Sequence, residues 1–319
     1  MRRDRLDLAV SGFEAGSDAT LGDRTAAVVV VFRPETDPRP LLAQLRGFVA
    51  LTIVADNSKL GHPALVDLPS RLDCSHLHTR NQGGLAGAYN QAIALIGKQA
   101  PHITHIVFLD EDSDASGLGR LLADREVCHA LDQSDTAAVA PAYVDRATGL
   151  RGRYIDLQRW RIRHLPRVFD GLRQVAFVIN SMSIWRLDAL RRIGRFNEGL
   201  AIDHVDTEAC LRARRAGLGV FVHGSHEFLH SIGQRRRFTL LGHEMQAGGH
   251  APARRYLIGR NTAWLGRNHL VREPAFAALC VARLAYEAFG IVKVESDRIV
   301  KLWALLRGIM VGLLTIRMR

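Results

Sequence analysis

The chain has 319 residues, 47% hydrophobic and 24% charged, which excludes a disordered or fibrous chain and suffices for one large domain or two small ones with a sizeable core. Its formal charge of +11, from 43 Lys and Arg against 32 Asp and Glu, points to an anionic partner: nucleic acid, anionic lipid or a phosphorylated substrate. The basic excess is spread from Arg146 to Arg319 with no compact stripe and no recognition motif, which disfavours nucleic acid.

Residues 1–23 mix Gly12, Gly16 and Gly22 with small polar residues and read as a loose, flexible extension. No apolar run follows Met1-Arg2-Arg3-Asp4, so no secretory signal is expected. No stretch reaches the roughly 18 consecutive apolar residues of an ordinary spanning helix. Cys74, Cys128, Cys210 and Cys280 stand far apart with no CxxC pair, which argues against a zinc site and fits reduced, cytosolic thiols.

The first firm element is residues 26–32, a β-branched run apolar on both faces, as a central parallel strand should be. Residues 40–45 have helical spacing. Residues 51–55 form a second strand ending in Asp56-Asn57-Ser58, and residues 74–78 a third ending in Thr79-Arg80-Asn81. A small-residue stretch, Gly83 to Asn90, then opens a helix and allows close approach of a backbone or ligand. It contains neither GxGxxG nor a Walker loop. Residues 104–109 form the fourth strand. The alternation with polar clusters at strand ends predicts an α/β, doubly wound nucleotide-binding sheet. Further on, residues 117–131 look helical, 137–143 and 174–180 look like strands, and 187–193 and 207–216 look like helices closed by Gly194 and Gly217.

Two acidic clusters stand out. The fourth strand runs directly into Asp110-Glu111-Asp112-Ser113, and two carboxylates one residue apart offer hard oxygens to Mg²⁺ or Mn²⁺. Read alone, the triplet is equally an inert acidic turn. The second cluster, Asp203-His204-Val205-Asp206-Thr207-Glu208, opens a helix, where the helix dipole alone favours Asp206 and Glu208. It does not account for Asp203. His223, His226 and His230 follow within eight residues, a density that favours one metal ligand among them. The last 49 residues, 271–319, carry Leu302, Leu305, Leu306, Ile309, Leu313 and Ile316 at helical spacing with Lys and Arg between. Such a basic amphipathic tail lies on an anionic membrane or packs on its own domain.

In order and content these motifs resemble the inverting glycosyltransferases of family 2, most closely their rhamnosyltransferase-like branch. The likeness is carried by Asp56-Asn57-Ser58, by Asn81 to Asn90, by Leu109 to Ser113, by Ile202 to Glu208, and by Arg255-Tyr256 through Arg260-Asn261, and covers residues 26 to 270. It implies a GT-A domain over residues 24–270 with a C-terminal helical extension. It implies that Phe32, Arg33 and Glu35 edge the nucleotide base, that Asp56, with Asn57 beside it, contacts the pyrimidine, and that Asn81, Gly83, Gly84, Ala86 and Asn90 lie under the ribose and diphosphate. Asp110 and Glu111 would contact the donor, Asp112 would be the principal ligand of Mg²⁺ or Mn²⁺ with Asp110 assisting, and His230 would complete the site, with His223 and His226 as alternatives. Asp206 would be the catalytic base, with Asp203 as rival, and Gln234 with Arg235 to Arg237 would close over the diphosphate. The implied donor is dTDP-L-rhamnose, with UDP-galactofuranose and other nucleotide sugars open. The implied acceptor is a lipid-linked or surface polysaccharide, reached by peripheral contact at the inner face of the plasma membrane. Homo-oligomerisation stays open. Ser181-Met182-Ser183 departs from a frequent Ser-Gly, and His204 replaces a frequent aromatic.

Overall fold

The computed structural model describes residues 19–34, 37–68, 72–230, 236–240 and 243–318. In chain order the elements are β1 (Thr25–Val31), α1 (Arg39–Leu45), β2 (Leu51–Asp56), α2 (Pro63–Val66), β3 (Ser75–His78), α3 (Gly84–Gln99) and β4 (His105–Asp110). Next come α4 (Leu118–Ala123), α5 (Arg125–Asp132), β5 (Thr136–Asp145), β6 (Ile155–Leu157), β7 (Ile162–His164), β8 (Leu172–Val175) and β9 (Ile184–Arg186). Then follow α6 (Leu187–Ile193), α7 (Val205–Arg215), β10 (Gly219–His230), β11 (Arg236–Leu240), β12 (His243–Ala247), α8 (Pro252–His269), α9 (Pro274–Val294) and α10 (Arg298–Leu314).

β1 is buried along its whole length, because its Ala and Val side chains meet helices on both faces. It pairs in parallel with β2 and β4, and β3 adds in parallel to β2. The full order is β3-β2-β1-β4-β9-β5-β10-β8, with β9 antiparallel to both β4 and β5. One core, around Tyr89, Phe108, Trp185 and Phe196, lies beneath α3 and α7; the other, around Leu42, Leu65, Leu121 and Val127, lies beneath α1, α2, α4 and α5. Helices on both faces of a mostly parallel sheet are the α/β, doubly wound arrangement expected from the sequence.

Three segments differ from expectation. The single helix over 117–131 is two, because Asp124 accepts the Glu126 and Val127 N–H groups at 2.8 and 3.2 Å and so caps a new helix. The strand over 174–180 stops at Val175: Ala176 donates instead to Ile155 O at 2.7 Å, and the chain turns into a cavity wall. Within the N-terminal stretch, Leu21 is buried and Gly22–Arg24 form a 3-10 helix that leads directly into β1.

The three C-terminal helices pack on one another. α9 is 21 residues long and contains an 18-residue window of mean hydropathy 1.6, so by length and composition it is long and apolar enough to cross a membrane. Its Arg283 and Glu287 nevertheless face inward. Arg255 of α8, wholly buried, pairs with Glu287 and with Glu295, and Glu295 takes a second cation, Lys301, at 3.1 Å. This charged knot ties α8, α9 and the start of α10 together.

Candidate active site

The end of β4 carries the first acidic cluster to the sheet's C-terminal edge. The Asp110 N–H donates to Ser113 Oγ at 2.9 Å, and Ser113 Oγ lies 2.9 Å from Ser181 Oγ. Ser181 in turn hydrogen-bonds the Asp110 carboxylate. The Phe32 N–H donates to Glu111 Oε2 at 3.0 Å, which joins the end of β1 to the same turn.

The second cluster is held in a strained loop. Ala201, Asp203 and His204 all have φ between 56 and 64°, a region that L side chains adopt at a cost. The surroundings over-determine it. Asn261 Nδ2 donates to Leu200 O, Ile202 O and Asp203 O at 2.9, 2.8 and 3.2 Å. Leu85 N donates to Ala201 O at 2.7 Å.

Both clusters meet at a cavity of about 600 Å³, whose walls include Asp110, Asp203, Asp206, His230, Tyr89 and Arg283. Burial first, then the Asp112 and Asp206 charges, raise the Asp110 carboxyl to about 6. Burial likewise raises Asp206, although it accepts the Thr207 N–H at 2.7 Å. Asp203 goes the other way: burial opposes its charge, but the Arg254 guanidinium, bonded to its two oxygens at 3.2 and 3.1 Å, holds the carboxyl below its usual range. The two carboxylates differ in their surroundings. Asp203 is an anchored counter-ion, and Asp206 is a carboxylate with raised proton affinity facing the cavity.

By chemistry the carboxylates and imidazole suit a hard divalent cation, while the ligating atoms of Asp110, Asp112 and His230 do not all come within 4.8 Å of one another. Mutual repulsion among Asp110, Asp112 and Asp206 raises the proton affinity of Asp110, and a cation beside them relieves it. Asp110 and His230 line the cavity, whereas Asp112 is exposed on the turn and is not among its walls. His223 and His226 do not reach the cavity; they meet Asp124 on α5, because β10 bulges between His223 and Glu227.

Several residues expected to touch the donor also build the site's frame. Asp56 is fully buried and accepts the Ser58 and His62 N–H groups at 3.0 and 2.7 Å, so it shapes its own loop. Asn57 Oδ1 accepts the Thr79 hydroxyl at 2.6 Å. Asn90 exchanges bonds with Phe196 N and O at 2.9 Å and donates to Glu198 at 2.8 Å. A Cβ on Gly84 would lie 2.5 Å from Ala201 O, and one on Gly83 would meet Glu198. Ala86 is sealed in the core. The small residues at the start of α3 thus admit the backbone of the second acidic loop, and only Leu85 and Tyr89 of that segment line the cavity. Asn81 sits in a left-handed turn and accepts the Gly84 N–H. Phe32 is 46% exposed, with the Arg33 guanidinium 5.3 Å from its ring centroid, and remains free to meet a base. Glu35 and Arg235, with Gln234, lie outside the described residues.

Little in the sequence announces the contribution of α8, α9 and the residues just before α8. His250, Arg254, Arg283, Tyr286 and Glu287 all line the cavity. The available signal was Arg283 and Glu287, two charges four apart in the middle of a mostly apolar helix.

His204 makes a pH prediction. It is buried, with Nε2 2.8 Å from Thr262 Oγ1, and burial, then the Arg283 charge, lower its pKa to about 3. Below about pH 6.5 the unfolded chain binds a proton there that the folded chain refuses, so stability falls with falling pH, by up to about 1.4 kcal/mol per unit. Asp110, raised above its unfolded value, contributes with the opposite sign between about pH 6 and 4. Comparison with His204→Gln isolates the histidine: the variant's Tm is expected to fall less steeply between pH 6.5 and 4. Parallel curves would contradict a neutral, buried imidazole.

No family model matches the sequence. Over 266 residues, 79% of this chain and 85% of the relative, it is 26% identical to dTDP-rhamnosyl transferase RfbF of Shigella flexneri. Among solved structures, S. aureus TarS 1-349 in complex with UDP-GlcNAc aligns over 88% of this chain and 70% of that one, at 13% identity and a TM-score of 0.46. GalNAc-T7 with UDP, GalNAc and Mn²⁺ aligns over 76% of this chain, which spans about half (48%) of that one, at 10% identity and a TM-score of 0.45.

Proposed function

We propose that the protein is an inverting glycosyltransferase of the GT-A type, moving a sugar from a nucleoside diphosphate to a hydroxyl of a lipid-linked or cell-surface glycan. The observation that carries this reading is that Asp110 and Asp206, far apart in sequence, face one cavity beside the anchored Asp203. The preferred donor is dTDP-L-rhamnose, after the 26% identical relative whose name includes that activity.

In a single displacement the acceptor oxygen attacks the anomeric carbon, the bond from that carbon to the diphosphate breaks, and the acceptor's proton passes to Asp206. Burial keeps the carboxylate basic enough for that proton, and such general-base help is typically worth about 10²–10⁴ in rate. The Thr207 N–H fixes the carboxylate's orientation, and Arg254 keeps Asp203 from competing for the proton. Arg283, on the cavity wall, offers a cation to the departing diphosphate. Asp110, Asp112 and His230 would hold Mg²⁺ or Mn²⁺, which supplies neutralisation of diphosphate charge.

Calorimetric titration tests the donor end. With Mn²⁺ present, dTDP is expected to bind the wild-type chain, and Asp112→Ala is expected to weaken binding at least tenfold; equal affinity with and without metal in both chains would count against the assignment.

The face of α10 turned from the protein supports peripheral membrane contact from the cytoplasmic side. Val300, Trp303, Leu306, Met310 and Leu314 are exposed there, with Arg298, Arg307 and Arg317 beside them. Co-sedimentation with anionic vesicles is expected to drop for Trp303→Asp, and equal partitioning of the two chains would remove the proposal.

A further inference from the structure

A second constellation of potential ligands lies outside the cavity. Among the described residues, Asp124, His223 and His226 are the group whose ligating atoms all come within 4.8 Å of one another. None of the three lines the 600 Å³ cavity. The backbone is built to bring them together. His223 pairs with Pro141 of β5 and Glu227 with Ala142, so Gly224, Ser225 and His226 form a three-residue bulge in β10. Such a bulge re-aims a side chain that regular alternation would place elsewhere. Its first residue has to be glycine, since a Cβ there would fall 1.9 Å from Phe169 O. The bulge turns His226 toward His223, with ring centroids 4.6 Å apart.

Across from the bulge stands the N-cap of α5. Asp124 uses Oδ1 to cap the helix and leaves Oδ2 directed at the imidazoles, 2.9 Å from His226 Nε2 and 3.7 Å from His223 Nε2. Glu126 Oε2, steadied by the Leu172 N–H at 3.3 Å, lies 3.5 Å from His223 Nε2. The two contacts of His223 are too long for good hydrogen bonds. They match the spacing of about 3.3 Å between ligands roughly 2.0 Å from one tetrahedral ion. His223 is 4% exposed, and its Nδ1 has no hydrogen-bond partner among the described residues. A buried imidazole with a good hydrogen bond at neither nitrogen is costly, and coordination at Nε2 compensates it. A cavity of about 350 Å³, walled by Gly117, Arg120, Ser225 and His226 among others, gives an ion its way in.

We propose that Asp124, His223 and His226, with Glu126 as fourth ligand, bind a zinc-class divalent ion that staples the β10 bulge to the start of α5. Two imidazoles with carboxylates suit a borderline ion better than Mg²⁺ or Ca²⁺. The cysteine spacing, which argued against zinc, does not bear on a site built from histidine and carboxylate. The ion fixes the strand that ends at His230 in the donor cavity, so a bond made on the α5 side steadies a residue of the other site.

The test is zinc stoichiometry of the whole chain, stripped with chelator, dialysed against Zn²⁺ and measured by elemental analysis. Wild type is expected to hold one equivalent more than Asp124→Asn and one more than His226→Gln. Asparagine still caps the helix and glutamine still reaches Asp124, so both variants are expected to keep the wild-type circular dichroism. Co²⁺-loaded wild type is expected to show the visible absorption of a tetrahedral ion, absent from both variants. Equal zinc content in wild type, Asp124→Asn and His226→Gln overturns the site.

Discussion

Asp206→Asn is expected to lower sugar transfer by about 10²–10⁴ while leaving nucleotide affinity within a few-fold of wild type. The side chain keeps its shape and its hydrogen bonds from Thr207, so the cavity stays intact and only the proton acceptor is lost. Asp203→Asn makes the contrast. It loosens the ion pair with Arg254 and with it the strained loop, so it is expected to lower stability as well as rate. Steady-state kinetics with calorimetry separate the two. Full transfer by Asp206→Asn would remove Asp206 from the mechanism and return Asp203 as the candidate.

Arg255→Met is expected to cost stability rather than chemistry, by about 3–5 kcal/mol. Methionine fills much of the volume of the arginine stem, but Glu287 keeps only Arg283, at 4.0 Å, and Glu295 keeps only Lys301. Removing one partner of a buried charge group leaves the others uncompensated, which is worse than never burying them. A fall in Tm of about 5–7 °C is the corresponding signal for a chain of this size. Because Glu287 shares α9 with Arg283 and Tyr286, the loss also loosens one wall of the cavity. An unchanged Tm would mean that α9 is held by its apolar contacts alone.

The central strands were legible because they are buried on both faces. A strand that meets helices above and below is apolar at nearly every position, and residues 26–31, 53–55 and 106–109 show as apolar runs. Their polar endings were legible for the same reason: a carboxylate is tolerated only where the strand leaves the core, as at Asp110. The choice between Asp203 and Asp206 was not legible. It depends on Arg254, 51 residues from Asp203, and nothing local to the acidic cluster announces that pairing. The stretch from Gly83 to Asn90 was legible only in part. Small residues declare that something approaches closely, but not what, and here it is the loop from Phe196 to Ala201. Helices α8 and α9 were set apart as the domain's end and its tail because apolar periodicity reports burial without direction. Only the packing of α9 on α8 shows that Arg283 and Tyr286 reach the cavity.

The most direct measurement is diphosphate release by the wild-type chain across a panel of nucleotide sugars with Mg²⁺ or Mn²⁺, repeated with Asp110→Asn and Asp206→Asn. Release from one donor, with dTDP-L-rhamnose the first expected, lost in both variants while Asp206→Asn still binds the nucleotide, is the predicted result. Release from no nucleotide sugar, or equal release by all three chains, would contradict a glycosyl-transfer site at the cavity that Asp110 and Asp206 share.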